Sequence, residues 1–457
     1  MVCFTRSLTE RVGRAWSILV LCGMLAMPAT TFAQPTGRNI LFIAVDDLRT
    51  WVGYTGDYPG TIHTPNIDAL AAVSTRYLAA YTPVPQCVGS RTSVLLGQSA
   101  ATHGIDRSHF ESLGDYNALF NNPFTITLPE VLSQNGYYTA VTGKVFHTPF
   151  PDRWDESGPA TIIADLGGLL DPGPDNTYIN PEVLGEFEEH PDQTVATWAS
   201  DFITNYIGGG TGAQPFFLAV GFYQPHLPWR VHQAYYDLYP LGGVVTVAPV
   251  AGELDDEPTT AVDYAAMPLL FGSIPQYDAV ELAGKQAEYT QAYLATISHT
   301  DAMVGQLLAA LAASPYASNT DIIFWSDHGW HLGEKRHWRK NTFWQPAVRV
   351  PLLVSSPGNV NYPVSDVTDS VSLVDLAATV VDLAGLPPHG TFEGAPLYDA
   401  ANRSPAQIHL RGGRATISGD FKNVDYDLSS PGLNHLARYD LVNDPNELVN
   451  LTPPGGC

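Results

Sequence analysis

Asn39-Ile40-Leu41-Phe42-Ile43-Ala44-Val45-Asp46-Asp47 is an unbroken apolar run, rich in β-formers, that stops on two carboxylates. A strand with one face in water would alternate apolar and polar residues. A continuous run instead fits a central strand covered on both faces. Asp321-Ile322-Ile323-Phe324-Trp325-Ser326 repeats the design and ends in Asp327-His328-Gly329, and Phe216-Phe217-Leu218-Ala219-Val220 leads to Gln224-Pro225-His226. In open α/β sheets ligand groups sit just beyond the carboxyl ends of the strands. Three apolar strands ending in polar clusters therefore point to one shared site.

Helical patterns separate these runs. Thr64-Pro65-Asn66-Ile67-Asp68 opens one helix, with Thr64 as cap and Pro65 in the first helical position. Residues 285–312 predict a long helix with Tyr289, Tyr293, Ile297, Val304, Leu307, Leu308 and Leu311 on one stripe, and Ser372 to Leu383 predicts another. Residues 148–192 and 240–283, rich in Pro, Gly and Asp, read as long surface loops shaping a cleft. After about Pro387 short strand-like pieces, Gln407-Ile408-His409-Leu410 and Arg414-Ala415-Thr416-Ile417, indicate a small antiparallel subdomain over 387–457.

The first 33 residues are a different kind of sequence. Arg6, Arg11 and Arg14 form a basic region, Ser17 to Ala29 an apolar one, and Thr31-Phe32-Ala33 a small-residue cleavage site before Gln34. This is the pattern of a secretory signal peptide over 1–33, with export to the periplasm or the medium as its consequence. No later segment reaches the roughly 18 apolar residues of a membrane span. The formal charge is −24 over 457 residues, and removing Arg6, Arg11, Arg14 and Glu10 lowers it by a further two. An acidic surface of this size argues against nucleic acid or anionic membrane as partner. It would also repel a polyanion at long range, a repulsion that salt screens. Of the four cysteines only Cys87 and Cys457 follow the leader, too few for a disulfide scaffold. A bridge between them has no other support.

Two constellations carry chemistry. Asp46, Asp47, Asp327 and His328 would bring three carboxylates to one point, which repel unless a cation lies between them. Oxygen donors suit a hard cation such as Ca²⁺, while the softer His328 leaves Zn²⁺ or Mn²⁺ open. The plain alternative is ordinary polar residues capping strand ends. The second constellation is basic: Lys144 and His147 in Gly143-Lys144-Val145-Phe146-His147, His226 in Pro225-His226-Leu227-Pro228-Trp229-Arg230, and Lys340. Fixed cationic donors in a water-poor site stabilise charge on a tetrahedral anion, and a histidine can protonate a departing alkoxide. Taken singly, each histidine is more often structural. Lys335, Arg336 and Arg339 read as charges that solvate a loop.

Taken together these segments resemble the type I sulfatase family of the alkaline-phosphatase superfamily, and within it the branch of iduronate-2-sulfatase and its bacterial relatives. The resemblance rests on Val45-Asp46-Asp47-Leu48-Arg49, Thr64-Pro65-Asn66-Ile67-Asp68, Pro85-Gln86-Cys87-Val88-Gly89-Ser90-Arg91, the Lys144 and His226 motifs, Ser326-Asp327-His328-Gly329-Trp330-His331-Leu332-Gly333-Glu334 and Tyr439-Asp440-Leu441-Val442-Asn443-Asp444-Pro445. It covers nearly the whole chain after the leader and implies an α/β fold. That fold has a large mixed, mostly parallel sheet flanked by helices, with a catalytic domain over 38–386. It further implies that a maturation enzyme oxidises Cys87 to formylglycine. One Ca²⁺ would be held by Asp46, Asp47, Asp327, His328 and the converted Cys87, with Arg91 stabilising the aldehyde hydrate. Lys144 and Lys340 would grip the sulfate of a sulfated carbohydrate, His226 would protonate the leaving alcohol, and His147 would deprotonate the hydrate to release sulfate.

The chain departs from the family at the activation motif. Gly89 stands where the family has proline, and Leu95-Leu96-Gly97-Gln98 lacks the family's threonine and arginine. Glycine lacks proline's restraint on φ in the peptide that the maturation enzyme reads. Two alternatives follow: a sulfated-glycan-binding homologue with unconverted Cys87 and no turnover, and a phosphodiesterase or phosphonate hydrolase on the same site.

Overall fold

The computed structural model describes residues 37–107, 109–160, 177, 179, 181–206, 214–268, 275–429 and 435–452. The expected leader over 1–33 and Cys457 lie outside them. The main sheet has eight strands, namely β1 (Asn39–Val45), β2 (Thr75–Tyr77), β3 (Tyr138–Gly143), β4 (Glu156–Ser157), β5 (Phe216–Phe222), β6 (Thr320–Ser326), β7 (Leu352–Ser355) and β8 (Ser365–Val367). Their order across the sheet is β8-β2-β7-β6-β1-β5-β3-β4. Among the described residues β7 alone runs antiparallel to its neighbours, and the remaining pairs are parallel. The sheet is thus mixed and mostly parallel, with the three apolar runs at its centre.

Every residue of β1 is buried, and its two faces serve two cores. Leu41, Ile43 and Val45 pack with Val195, Ala199 and Phe202 of α4 (Pro191–Asn205) and with Tyr293, Ile297 and Val304 of α5 (Gln286–Ala313). Ile40, Phe42 and Ala44 face the opposite layer. That layer contains α2 (Cys87–Leu96), α3 (Leu128–Gln134) and α6 (Asp375–Leu383), whereas α1 (Pro65–Ala71) packs on the first face. A strand sandwiched between two helical layers needs no polar face, which is why the run does not alternate. Each large side chain so buried contributes about 1.5–3 kcal/mol.

β9 (Gln407–Leu410), β10 (Gly413–Ser418), β11 (Phe421–Asp425) and β12 (Leu436–Asp440) form a separate antiparallel meander near the carboxyl terminus. Three local expectations change. The stretch 240–283 holds helices at Thr259–Ala265 and Gln276–Ala283, each capped by a proline, Pro258 and Pro275. Proline reads as a loop signal, yet it also fits the turn before a helix. α6 starts at Asp375, because Val371–Ser372 pairs with Ala80–Tyr81 as a strand. Lys335 is buried against Glu257, its Nζ 2.9 Å from the carboxylate, and solvates nothing.

Candidate active site

Parallel register brings the site residues together. Val45 of β1 pairs with Phe222 of β5 and with Ser326 of β6, so the three central strands end level. Asp46, Tyr223 and Asp327 therefore leave the sheet side by side. Asp47 takes φ 60°, a left-handed conformation unusual outside glycine. Its amide donates to Asp327 Oδ1 at 3.2 Å and its carbonyl accepts from Tyr293 Oη at 2.7 Å, which holds the turn. α2 begins at Cys87, so the thiol stands on a helix N-terminus, where the backbone dipole favours negative charge.

The floor is closed to water. Asp46, Asp47, Arg91, Asp327 and His328 are all 0% exposed. Arg91 Nε donates to Asp327 Oδ2 at 2.7 Å and Nη2 lies 3.7 Å from Asp46 Oδ1. His328 Nδ1 is 3.3 Å from Asp47 Oδ1 and its Nε2 3.7 Å from Asp327 Oδ1. Burial pushes the Asp327 carboxyl up, Arg91 pulls it down and Asp46 pushes it up again, leaving it well above the ordinary range. Burial acts the same way on Asp46, but Lys144, which ion-pairs with it, and His226 and Arg91 hold it below that range against Cys87.

The mouth is basic. Lys340 Nζ donates to Asp47 Oδ1 at 2.7 Å and to Cys87 Sγ at 3.1 Å. His226 Nε2 is 4.0 Å from Asp47 Oδ2, and its Nδ1 is 2.6 Å from the Leu227 carbonyl. His147, His226 and Lys340 keep 8–9% of their surface exposed and Lys144 2%, so the basic groups lie nearer the opening than the 0%-exposed floor. Burial raises the Cys87 thiol, but Lys340 and Lys144 charges and hydrogen bonds from His147 and His226 bring it well below its ordinary value. Such a setting stabilises negative charge at the position of Sγ. All the residues selected from the sequence thus meet in one cluster.

The cluster fits a cation. Asp46, Cys87, Asp327 and His328 each offer a ligand atom within 4.8 Å of the others. Asp46 Oδ1, Asp47 Oδ2 and His328 Nε2 are buried without a hydrogen-bond partner. Buried acceptors without partners are costly, and a metal would satisfy them. Asp46, Asp47 and Asp327 are matched by Arg91, Lys144 and Lys340, so a divalent cation would leave the site net positive, as an anionic ester requires.

Sequence reading missed the residues that hold the cluster from behind. Ser90 Oγ donates to the Asp327 carbonyl at 2.7 Å, Leu48 N donates to Ser326 Oγ at 3.0 Å, and Asp192 accepts from Tyr223 N at 2.8 Å and Gln224 N at 2.9 Å. Single polar residues inside helices and strands leave no spacing pattern. For Asp192 the helix start at Pro191 was the one available signal, and it reads equally as a cap.

Fold and site define an α/β protein with a mixed, mostly parallel sheet and a cluster of carboxylates and cations at the carboxyl ends of its central strands. Residues 38–386 match the family model described as Sulfatase, and the chain belongs to that family. It is a sulfuric ester hydrolase. A sulfatase of Formosa agariphila is 30% identical over 451 residues, spanning 90% of this chain and 82% of that protein. Human iduronate 2-sulfatase is 30% identical over 431 residues, spanning 82% and 75%. A solved structure of a protein in complex with its substrate D-glucosamine-2-N,6-O-disulfate shares the fold, with a TM-score of 0.70 at 21% identity, covering 91% of this chain and 93% of that one.

Proposed function

We propose that this chain is an exported sulfatase that removes sulfate from a sulfated carbohydrate through a formylglycine made from Cys87. The observation that carries the reading is the position of Cys87: on a helix N-terminus, among the carboxylates and His328, with Lys340 Nζ 3.1 Å from its sulfur. Carbohydrate as substrate is supported by the iduronate 2-sulfatase relative and by the sugar disulfate named for the structural neighbour. Export is supported by the leader pattern over 1–33.

Asp46, Asp47, Asp327, His328 and Cys87 would hold a divalent cation, with Ca²⁺ favoured by the oxygen-rich donor set. When present, the cation would supply Lewis acidity and the formylglycine a hydrated aldehyde as nucleophile. The protein's own groups do the remainder. Lys144 and Lys340 orient the sulfate oxygens and offset their charge. Arg91, tied to Asp327, steadies the nucleophile's position. His226, with Nδ1 directed to the Leu227 carbonyl, presents Nε2 to the leaving oxygen and gives it a proton. His147, which follows β3 at the same carboxyl edge of the sheet and hydrogen-bonds Cys87, accepts the proton released at sulfate departure.

Gly89 favours a second reading, in which Cys87 stays a thiol and the protein binds sulfated glycan without turnover. Peptide mass spectrometry around Cys87, on protein from its native host or a close surrogate, separates the two. The aldehyde lowers the peptide mass by roughly 18 Da, the thiol's sulfur being replaced by a carbonyl oxygen. An unchanged thiol, with glycan affinity retained, would replace the hydrolase mechanism by binding. If the converted protein releases no sulfate from any sulfated glycan tested, the carbohydrate reading fails.

A further inference from the structure

His226 lies on a turn, and the backbone of that turn is tied at nearly every polar group. Gln224 O accepts from Thr300 Oγ1 at 3.0 Å, Pro225 O from Trp229 Nε1 at 2.7 Å, Leu227 O from Tyr223 Oη at 2.6 Å, and Pro228 O from Gln224 Nε2 at 3.0 Å. These partners are neutral. The two amides that open the turn are different, since Tyr223 N and Gln224 N donate to the two oxygens of Asp192 at 2.8 and 2.9 Å. Asp192 is 0% exposed and lies in the first turn of α4, where its own amide donates to His190 Nδ1 at 2.9 Å. Burial pushes its carboxyl up to about 7, even with the two amides pulling it down. A buried carboxylate is costly, and a two-pronged charge-assisted grip on consecutive amides is what offsets that cost.

The grip reaches His226 through Tyr223, whose ring centroid lies 4.7 Å from that of His226. Lys144, also beside the Tyr223 ring, is held independently by its ion pair with Asp46. A shift of the Tyr223 backbone would therefore fall chiefly on the histidine. We propose that Asp192 is a positioning residue for leaving-group protonation, fixing the turn that aims His226 at the leaving oxygen. The proposal rests on the reading of His226 as the proton donor.

Leaving-group dependence tests it, because a nitrophenolate departs without help and a sugar alkoxide does not. Asp192→Asn keeps size but sets an NH₂ group against one of the two amide donors. In the full-length converted enzyme we expect Asp192→Asn to lower kcat on a sugar sulfate by about ten-fold or more, with KM little changed. On 4-nitrophenyl sulfate kcat should stay within about two-fold. His226→Ala should show the same selectivity with a larger loss, and Asp192→Glu a partial one; if Asp192→Asn does not fold, Asp192→Glu carries the test. A selective His226→Ala with Asp192 variants that lower both substrates equally, or neither, overturns the positioning role. A His226→Ala variant that lowers both equally overturns the proton-donor reading, and the proposal with it.

Discussion

Lys340 joins the two halves of the site, because one ammonium reaches both Asp47 Oδ1, at 2.7 Å, and Cys87 Sγ, at 3.1 Å. Burial alone would weaken the charge, but Asp47 and then Cys87 and Asp46 hold the ammonium well above its ordinary value. Lys340→Met keeps the stem and removes the charge. Loss of one preorganised donor of this kind costs about 2.7–4 kcal/mol of transition-state stabilisation, so kcat should fall by roughly 100-fold or more. Steady-state kinetics on 4-nitrophenyl sulfate, beside thermal unfolding of the same variant, checks this. A loss under about ten-fold would remove Lys340 from the reacting groups. The residue scale is also where sequence reading divides. Asp46, Asp47, Asp327 and His328 were legible because they end apolar strands, a position with chemical meaning in α/β sheets. Lys335 was misread, since its partner Glu257 is far away in sequence and belongs to a network with Tyr439 that only the folded chain assembles.

Gly89 shows why a departure from a motif has to be judged on its element. It lies within α2, and a Cβ built there would meet the Ile105 carbonyl oxygen and Val84 Cγ1, each at 2.7 Å. A side chain can yield at such a distance, but a backbone carbonyl cannot. Alanine would normally gain about 0.5–1 kcal/mol over glycine inside a helix. Here overpacking of about 1–3 kcal/mol outweighs that gain, so Gly89→Ala is expected to lower stability. Urea unfolding reads the sign, and an increase would mean that the 105 carbonyl moves freely. Glycine is therefore fixed by packing in the folded site, whatever it does to recognition of the extended peptide. α1 makes a related point. Thr64 and Pro65 marked its start correctly, but Thr64 Oγ1 accepts from Gly53 N at 2.8 Å and gives the helix no cap. Asp301 of α5 accepts from Asn66 N at 3.0 Å and Ile67 N at 2.8 Å instead. The boundary was local information; the capping group came from a helix 235 residues further along the chain.

At the scale of the whole molecule, a basic mouth is set in a chain of formal charge −24. The two fields act over different distances. An isolated sulfate ester inside the site feels Lys144 and Lys340 within a few ångströms, where salt screens little. A sulfated polymer must also bring its distal charges past the acidic surface, over distances that salt screens strongly. The screening length falls from about 30 Å at 0.01 M to about 10 Å at 0.1 M ionic strength. Over that range kcat/KM toward a sulfated polysaccharide should rise by about two-fold or more, while kcat/KM toward 4-nitrophenyl sulfate changes less. Initial rates at several sodium chloride concentrations, with both substrates and one enzyme preparation, decide the matter. A polymer rate that falls with salt would mean that the basic mouth, and not the acidic surface, governs encounter. The surface charge would then have no part in selecting the substrate, and specificity would have to come from contacts inside the cleft alone.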